Sequence, residues 1–254
     1  MKKFISFLLL ALCFATVSAQ DRMLHVTLPP GTSSTIVQHE GYTVSFNDEA
    51  RIPNYVIYHL FPSDITTEGV SRDGEEFVAD PDIPGCPESS EYNRSNFPEH
   101  FHSDRGHMMP AADCKTSATR MTESFYLSNI CPQDHDLNEG QWCELEKQVR
   151  FWCKHWYKQD LYVVCGPIFD GNSPKSKTGI VIPDAFFKIV CRKDDNRVWS
   201  AIAFKFHNTP QRTSYKALAV SVDDIEEETG MDFFSTLPDS IERIVEKDFS
   251  GWKI

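Results

Sequence analysis

The sequence predicts an α+β fold, with a mainly antiparallel central sheet flanked by helices. Three observations carry this. Several short runs rich in β-branched and aromatic residues read as strands. One long segment has clear helical spacing. The two kinds of element follow no strict βαβ rhythm, so a doubly wound parallel sheet has no basis. At 254 residues, 41% hydrophobic and 12% aromatic, the chain has enough apolar surface for a sizeable core. No repeat, low-complexity tract or linker divides it.

The elements follow in chain order. Lys2 and Lys3, the apolar run from Phe4 to Phe14, and small residues before a cut after Ala19 form the three-part pattern of a secretory signal. The run is too short and wrongly flanked to span a membrane. Leu12 precedes Cys13, where a lipid-attachment site wants a small residue, so no membrane anchor is expected. The expectation is a signal peptide over 1–19, one domain over 20–254, and a periplasmic or extracellular destination. "NYVIYHLF" from Asn54 reads as a buried strand, followed by a long polar loop holding Pro81, Pro84, Gly85 and Pro87. "ESFYLSNICPQ" carries a further strand and a turn. In "LNEGQWCELEKQVRFWCKHWYKQD", Trp142, Leu145, Val149, Trp152 and Trp156 recur at intervals of three and four, an apolar helical stripe. Asn138, with Gln141 three residues on, has the pattern of a capping box. "DLYVVCGPIF" reads as a strand ending in Gly-Pro, and "DAFFKIVCR" with "VWSAIAFKF" as a hairpin through "KDDN". The tail "VSVDDIEEETGMDFFSTL" reads as an acidic-capped helix, a stop at Gly230 and an aromatic anchor.

The formal charge is −12, and loss of Lys2 and Lys3 with the leader makes it −14, from 23 basic and 37 acidic residues. Taken alone this argues against a polyanionic partner. A nucleic-acid site therefore needs a local basic cleft or a metal ion. Seven cysteines remain after the leader. Export makes disulfides an expectation, and the odd number leaves one thiol over. No CxxC spacing supports a structural zinc site.

The stretch "HSDRGHMMPAADCK" from His102 concentrates chemistry. Hydrolysis of a phosphodiester needs a base for the attacking water, positive charge on the phosphoryl oxygens and help for the leaving oxygen. Histidine suits the first task near neutral pH, arginine's planar fork the second, and a hard divalent ion held by one or two protein oxygens the third. His107 is a candidate base, with Arg105 two residues away and Gly106 allowing close backbone approach. Asn138 offers a carboxamide oxygen at a helix start. Glu146 and Arg150 lie about 80° and 120° round that helix from Asn138, and stand four residues apart, the spacing of an ion pair. Asp104 is placed to orient a neighbour. His100 and His102 alternate as two metal ligands on one strand face would. Each feature also has an ordinary reading: a packed histidine, a plain N-cap, a solvated ion pair.

Together, "DRGHMMPAADCK", "ESFYLSNICPQ" and "LNEGQWCELEKQVR" resemble the DNA/RNA non-specific endonuclease family, the secreted bacterial sugar-non-specific nucleases and endonuclease G. The resemblance runs over most of the mature chain, including "NYVIYHL", "LYVVCGPIF", "IPDAFFKIV" and "SVDDIEEETGMDFF". It implies a ββα-metal active site. It implies His107 as general base, Asn138 as direct Mg²⁺ ligand and Glu146 as a ligand through water, with Mn²⁺ as a substitute ion. It implies Arg105 and Arg150 on phosphate, Asn129 as support for the site, and an upstream arginine matched by Arg72. The implied substrates are DNA and RNA, single- or double-stranded, cut to 5′-phosphorylated products. Because such a site reads phosphate, no sequence preference follows. Family members are often dimers, so a homodimer is implied. The rival readings are a metal-dependent phosphodiesterase with a narrower substrate, a retired nuclease fold that binds nucleic acid without turnover, and a structural or metal-storage role for the His and Cys residues.

Overall fold

In the computed structural model, residues 25–193, 198–210 and 213–254 are described; the expected leader and most of the "KDDN" turn lie outside them. Among these residues eleven strands and five α-helices follow in order: β1 Val26–Thr27, β2 Thr35–Gln38, β3 Tyr42–Asn47, β4 Ile52–Leu60, β5 Ser103–His107, α1 Ala118–Ser124, β6 Ile130–Asp134, α2 His135–Leu137, α3 Cys143–Phe151, β7 Leu161–Ile168, β8 Ala185–Lys193, β9 Trp199–His207, β10 Ala219–Val220, α4 Val222–Thr229, β11 Asp232–Phe233 and α5 Asp239–Lys247. Seven strands form one antiparallel sheet in the order β10-β9-β8-β7-β4-β3-β2. The small ribbons β5–β6 and β1–β11 stand apart from it.

Both faces of the sheet are covered, which is why its central strands read as continuous apolar runs rather than alternating ones. The period of two still decides which side each residue serves. On β8, Phe186 and Val190 face one core, with Trp142, Leu145 and Met108, while Phe187, Ile189 and Cys191 face the other, with Val222, Ile225 and Phe233. The first core carries the β5–β6 ribbon and α3. The second carries α4, α5 and β11. Lys188 lies on the Phe186–Val190 row, toward the first core.

Several expectations hold. The strands starting at Asn54 and Asp160 are β4 and β7, and the hairpin is β8–β9. The acidic tail forms α4 with a Ser221 capping box, and Gly230 closes it in the left-handed conformation (φ 66°). The polar stretch after β4 is irregular apart from short turns at Ser89–Tyr92 and Arg94–Asn96. "ESFYLSNICPQ" differs in detail, since its strand begins only at Ile130, after α1 and a short turn.

Two readings are corrected. Asn138 is not an N-cap. Asp134 caps instead, its carboxylate accepting from the Asp136 and Leu137 backbone amides, so the helix starts earlier and Asn138 lies inside it. The disulfides are also absent: all seven cysteines among the described residues are unpaired. Six are buried and spread through the core, where a thiol packs as a small apolar group. Burial pushes the Cys165 thiol up to about 11 and those of Cys86 and Cys114 to about 12.

Candidate active site

β5 carries the motif and β6 pins it. The pair is antiparallel, with Gly106 opposite Cys131 and His107 opposite Ile130. Gly106 is required by packing. A Cβ there meets Gln133 Oε1 at 2.2 Å and Gln133 Cβ at 2.6 Å. Alternation then puts Arg105 and His107 on one face of the strand. The strand's exit is held from three directions. Met108 N donates to Asn129 O (2.9 Å), Met109 N to Asn129 Oδ1 (2.9 Å), and Lys188 Nζ to Met108 O (3.3 Å).

The helical segment after β6 meets this strand from the side. Trp142 Nε1 donates to His107 O at 3.1 Å. Asn138 opens a π-helical turn over Asn138–Trp142, in which Gly140 leaves helical dihedrals (φ −94°, ψ −115°). Such wide turns recur at functional positions because they re-aim side chains. Asn138 Nδ2 donates to Asp104 Oδ2 at 2.9 Å, and His135 Nδ1 meets the same oxygen at 2.9 Å. The Asp104 bond raises the His135 imidazole above its usual range. Asn138 is thus gripped by its amide nitrogen, and among the described residues its carboxamide oxygen accepts no hydrogen bond.

A cavity of about 270 Å³ collects Arg72, Arg105, His107, Asn138, Glu146 and Arg150. Asn129 is not brought into it. That residue is fully buried, its side chain bonded to Met109 N, Met109 O and Ser124 O, so it holds the strand rather than facing a substrate. His100 and His102 join no cluster of three metal-ligating side chains among the described residues.

The His107 ring packs beside Phe77 (5.4 Å between centroids) and edge-on to Phe125 (5.1 Å). Its Nε2 is buried without a hydrogen-bond partner. Burial first, and the Arg72 charge second, push its pKa down to about 3, so the imidazole is neutral across the ordinary pH range. Arg105 lies over Phe77 (5.2 Å), and its Nη2 donates to Ser89 O at 3.0 Å. Arg72 lies over Phe125 (5.5 Å).

The expected Glu146–Arg150 ion pair is replaced by another. Arg150 Nη1 meets Asp113 Oδ1 at 2.9 Å, and Asp113 is almost wholly buried. A buried carboxylate needs a partner, and Asp113 takes Arg150 as its own. Among the described residues the Glu146 side chain has no hydrogen-bond partner. Burial pushes its carboxyl up to about 7, against the pull of Lys188 and Arg150. Lys188 is fully buried 4.2 Å above the Trp142 ring. Neither Asp113 nor Lys188 stood out in the sequence. The signal for Lys188 was present, as a cation inside the otherwise apolar run Ala185–Cys191.

A free carboxamide oxygen and an unpaired carboxylate in one cavity are hard oxygen donors. They suit Mg²⁺ or Mn²⁺, which keep much of their own water, and not a zinc site built on several nitrogen or sulfur ligands. The arginines that line the same cavity are side chains suited to anionic oxygens.

A family model described as DNA/RNA non-specific endonuclease matches residues 19–240. A nuclease of Serratia marcescens is 31% identical over 245 residues, covering 92% of this chain and 90% of its own. Nuclease C1 of Cunninghamella echinulata is 30% identical over 224 residues, covering 82% and 86%. The human mitochondrial nuclease EXOG is 29% identical over 239 residues, covering 87% of this chain and 62% of its own. The fold matches a chain of the crystal structure of the EndoG/EndoGI complex, which addresses the mechanism of EndoG inhibition, with TM-score 0.73, 24% identity, and coverage of 81% and 88%. No helix among the described residues is long and apolar enough to cross a membrane. With most of its length matched by the family model, the chain belongs to the DNA/RNA non-specific endonuclease family, whose members here are named nucleases.

Proposed function

We propose that this chain is an exported, Mg²⁺-dependent endonuclease that hydrolyses phosphodiester bonds of both DNA and RNA and leaves 5′-phosphorylated products. The reading places one catalytic domain over 20–254, behind a leader over 1–19, and its homodimerisation is part of the proposal. One observation supports it above the others. A neutral, unpartnered imidazole shares a cavity with three arginines, a free carboxamide oxygen and an unpaired carboxylate.

In this reading His107 takes the proton from the attacking water. Arg105 and Arg150 bear on the phosphoryl oxygens, where charge grows in the transition state. Arg150 is held for this by Asp113, and Arg105 by Ser89 O and the Phe77 face. Burial first and the Arg72 charge second depress His107 in the free enzyme, and a bound phosphate offsets the second of these. Asn138 would hold the metal directly and Glu146 through water, with Mn²⁺ able to stand in for Mg²⁺. When bound, such an ion would supply Lewis acidity and offset charge at the leaving oxygen. Every group addresses phosphate, so neither the base nor the 2′-hydroxyl decides the outcome.

The test is a panel of supercoiled plasmid, single-stranded DNA, RNA and a mononucleotide diester, each with Mg²⁺ and with EDTA. Cleavage of all three polymers, with Mg²⁺ only, is the expected result. Cleavage of one polymer alone replaces breadth with a narrower phosphodiesterase. Binding to all without cleavage makes this a retired nuclease.

A further inference from the structure

Far from the catalytic cavity, on the opposite core, five carboxylates converge. Asp223 and Glu226 come from α4, Asp232 from β11, and Glu242 and Glu246 from α5. They form two trios sharing Glu246. In Asp223–Glu226–Glu246 and in Asp232–Glu242–Glu246, one oxygen from each residue lies within 4.8 Å of the other two. Among the described residues no cation pairs with any of the five. Lys205 pairs with Glu228, and Arg243 Nε donates to the Asp239 carbonyl.

Acidic surface clusters are common and need no ligand. This one differs in Glu246, which is only 7% exposed. Its Oε1 is buried without any hydrogen-bond partner, as is Oε1 of Glu242. An uncompensated buried carboxylate is costly, and such groups are normally paired or coordinate a metal. Burial, then the charges of Glu226, Glu242, Asp223 and Asp232, destabilise the ionised form of Glu246.

The placement also explains what a ligand accomplishes. Helix α5 is weakly anchored. It buries Val245 and Glu246, while Ile241 and Ile244 stand 40% and 63% exposed. A carboxylate therefore sits where a second apolar anchor belongs. Strand β11 in turn pairs with β1, with Thr27 opposite Asp232. A cation here ties together three segments of the second core and, through β11, the start of the described chain.

We propose that these five residues form a structural Ca²⁺ site that pins α5 to α4 and β11. The ion follows from the donors. Carboxylates, some able to bind through both oxygens, suit the six to eight oxygen ligands that Ca²⁺ takes in flexible geometry at about 2.3–2.6 Å, and the oxygens of each trio lie within 4.8 Å of one another, close enough to share one ion. Mg²⁺, at about 2.0–2.1 Å, demands a tighter octahedron and gives up its water reluctantly. Glu226 Oε1 also accepts from Phe233 N at 2.7 Å, so one donor is already oriented. The site is separate from the catalytic cavity and does not depend on the proposed reaction.

The test is calorimetric titration of the metal-stripped protein with CaCl₂, paired with thermal melts in CaCl₂, MgCl₂ or EDTA. One Ca²⁺ binds per chain and, at about a hundredfold excess over Kd, raises Tm by roughly 5–10 °C. Glu246→Gln and Asp232→Asn each weaken that binding at least tenfold, whereas Asn138→Ala leaves it unchanged. Asp232 is exposed, so its variant keeps the test open if Glu246→Gln does not fold. Calcium binding that Asn138→Ala abolishes overturns the proposal. So does a Tm that ignores calcium but climbs on acidification from pH 8 to 6, because protons rather than a cation then settle the cluster.

Discussion

Asp104 Oδ2 receives both Asn138 Nδ2 and His135 Nδ1, each at 2.9 Å. That arrangement turns the Asn138 oxygen outward, so Asp104 is a positioning residue for the metal ligand. Outer partners of this kind are typically worth about 10–100-fold in metal affinity. Asp104→Ala is expected to raise the Mg²⁺ concentration for half-maximal activity by about that factor, with kcat at saturating Mg²⁺ far less changed; an unmoved metal requirement removes Asp104 from the site. Glu146 sets the pH dependence. Burial holds its carboxyl near 7, so it is ionised and fit to serve the ion above that pH, and protonated below it. Mg²⁺ affinity should therefore fall as pH drops through about 7. Lys188 lowers the Glu146 value, so Lys188→Met raises it and moves the loss of affinity to higher pH. Calorimetry of Mg²⁺ binding across pH 6–8 reads both effects.

The ribbon β5–β6 depends on the missing side chain at Gly106. Forcing a methyl group against Gln133 overpacks the ribbon at a cost of about 1–3 kcal/mol. Gly106→Ala should lower Tm by several degrees, with a larger loss of activity because His107 moves with the strand; an unchanged Tm and rate contradict the packing account. Much at this scale was legible in advance. Of the helix stripe, Trp142, Leu145, Val149 and Trp152 are the buried face of the helical segment, as a 3.6-residue period requires. Trp156, read into the same stripe, ends a π-helical turn and is 42% exposed. The motif glycine was legible because only close approach or unusual dihedrals call for glycine there. The helix start was misread, because Asp134 and Asn138 are both good caps and only the fold decides between them. The Arg150 partner was also hidden. Asp113 lies 37 residues away in sequence, and a local spacing rule can propose only Glu146. Asn129 was recognised as support for the site, but sequence does not say whether a residue faces a cavity or braces the strand beside it.

At the scale of the molecule, charge is unevenly placed. A chain with a formal charge of −12 gathers Arg72, Arg105 and Arg150 at one cavity and leaves uncompensated carboxylates at the far side of the sheet. The net charge repels a polyanion at long range, and the cavity attracts it at short range. Affinity for DNA should then depend steeply on salt. Arg72→Ala is expected to raise KM for plasmid and RNA alike and to reduce the slope of log affinity against log salt by about 1; a loss confined to one polymer contradicts a phosphate contact. The central claim is that His107 is the base. The direct measurement is the rate of plasmid and RNA cleavage by His107→Ala and wild type at saturating Mg²⁺, with nucleic-acid binding measured in parallel. A fall of about 10²–10⁴ in kcat on both polymers, with binding retained, is the result predicted. Cleavage by His107→Ala within a few-fold of wild type contradicts it.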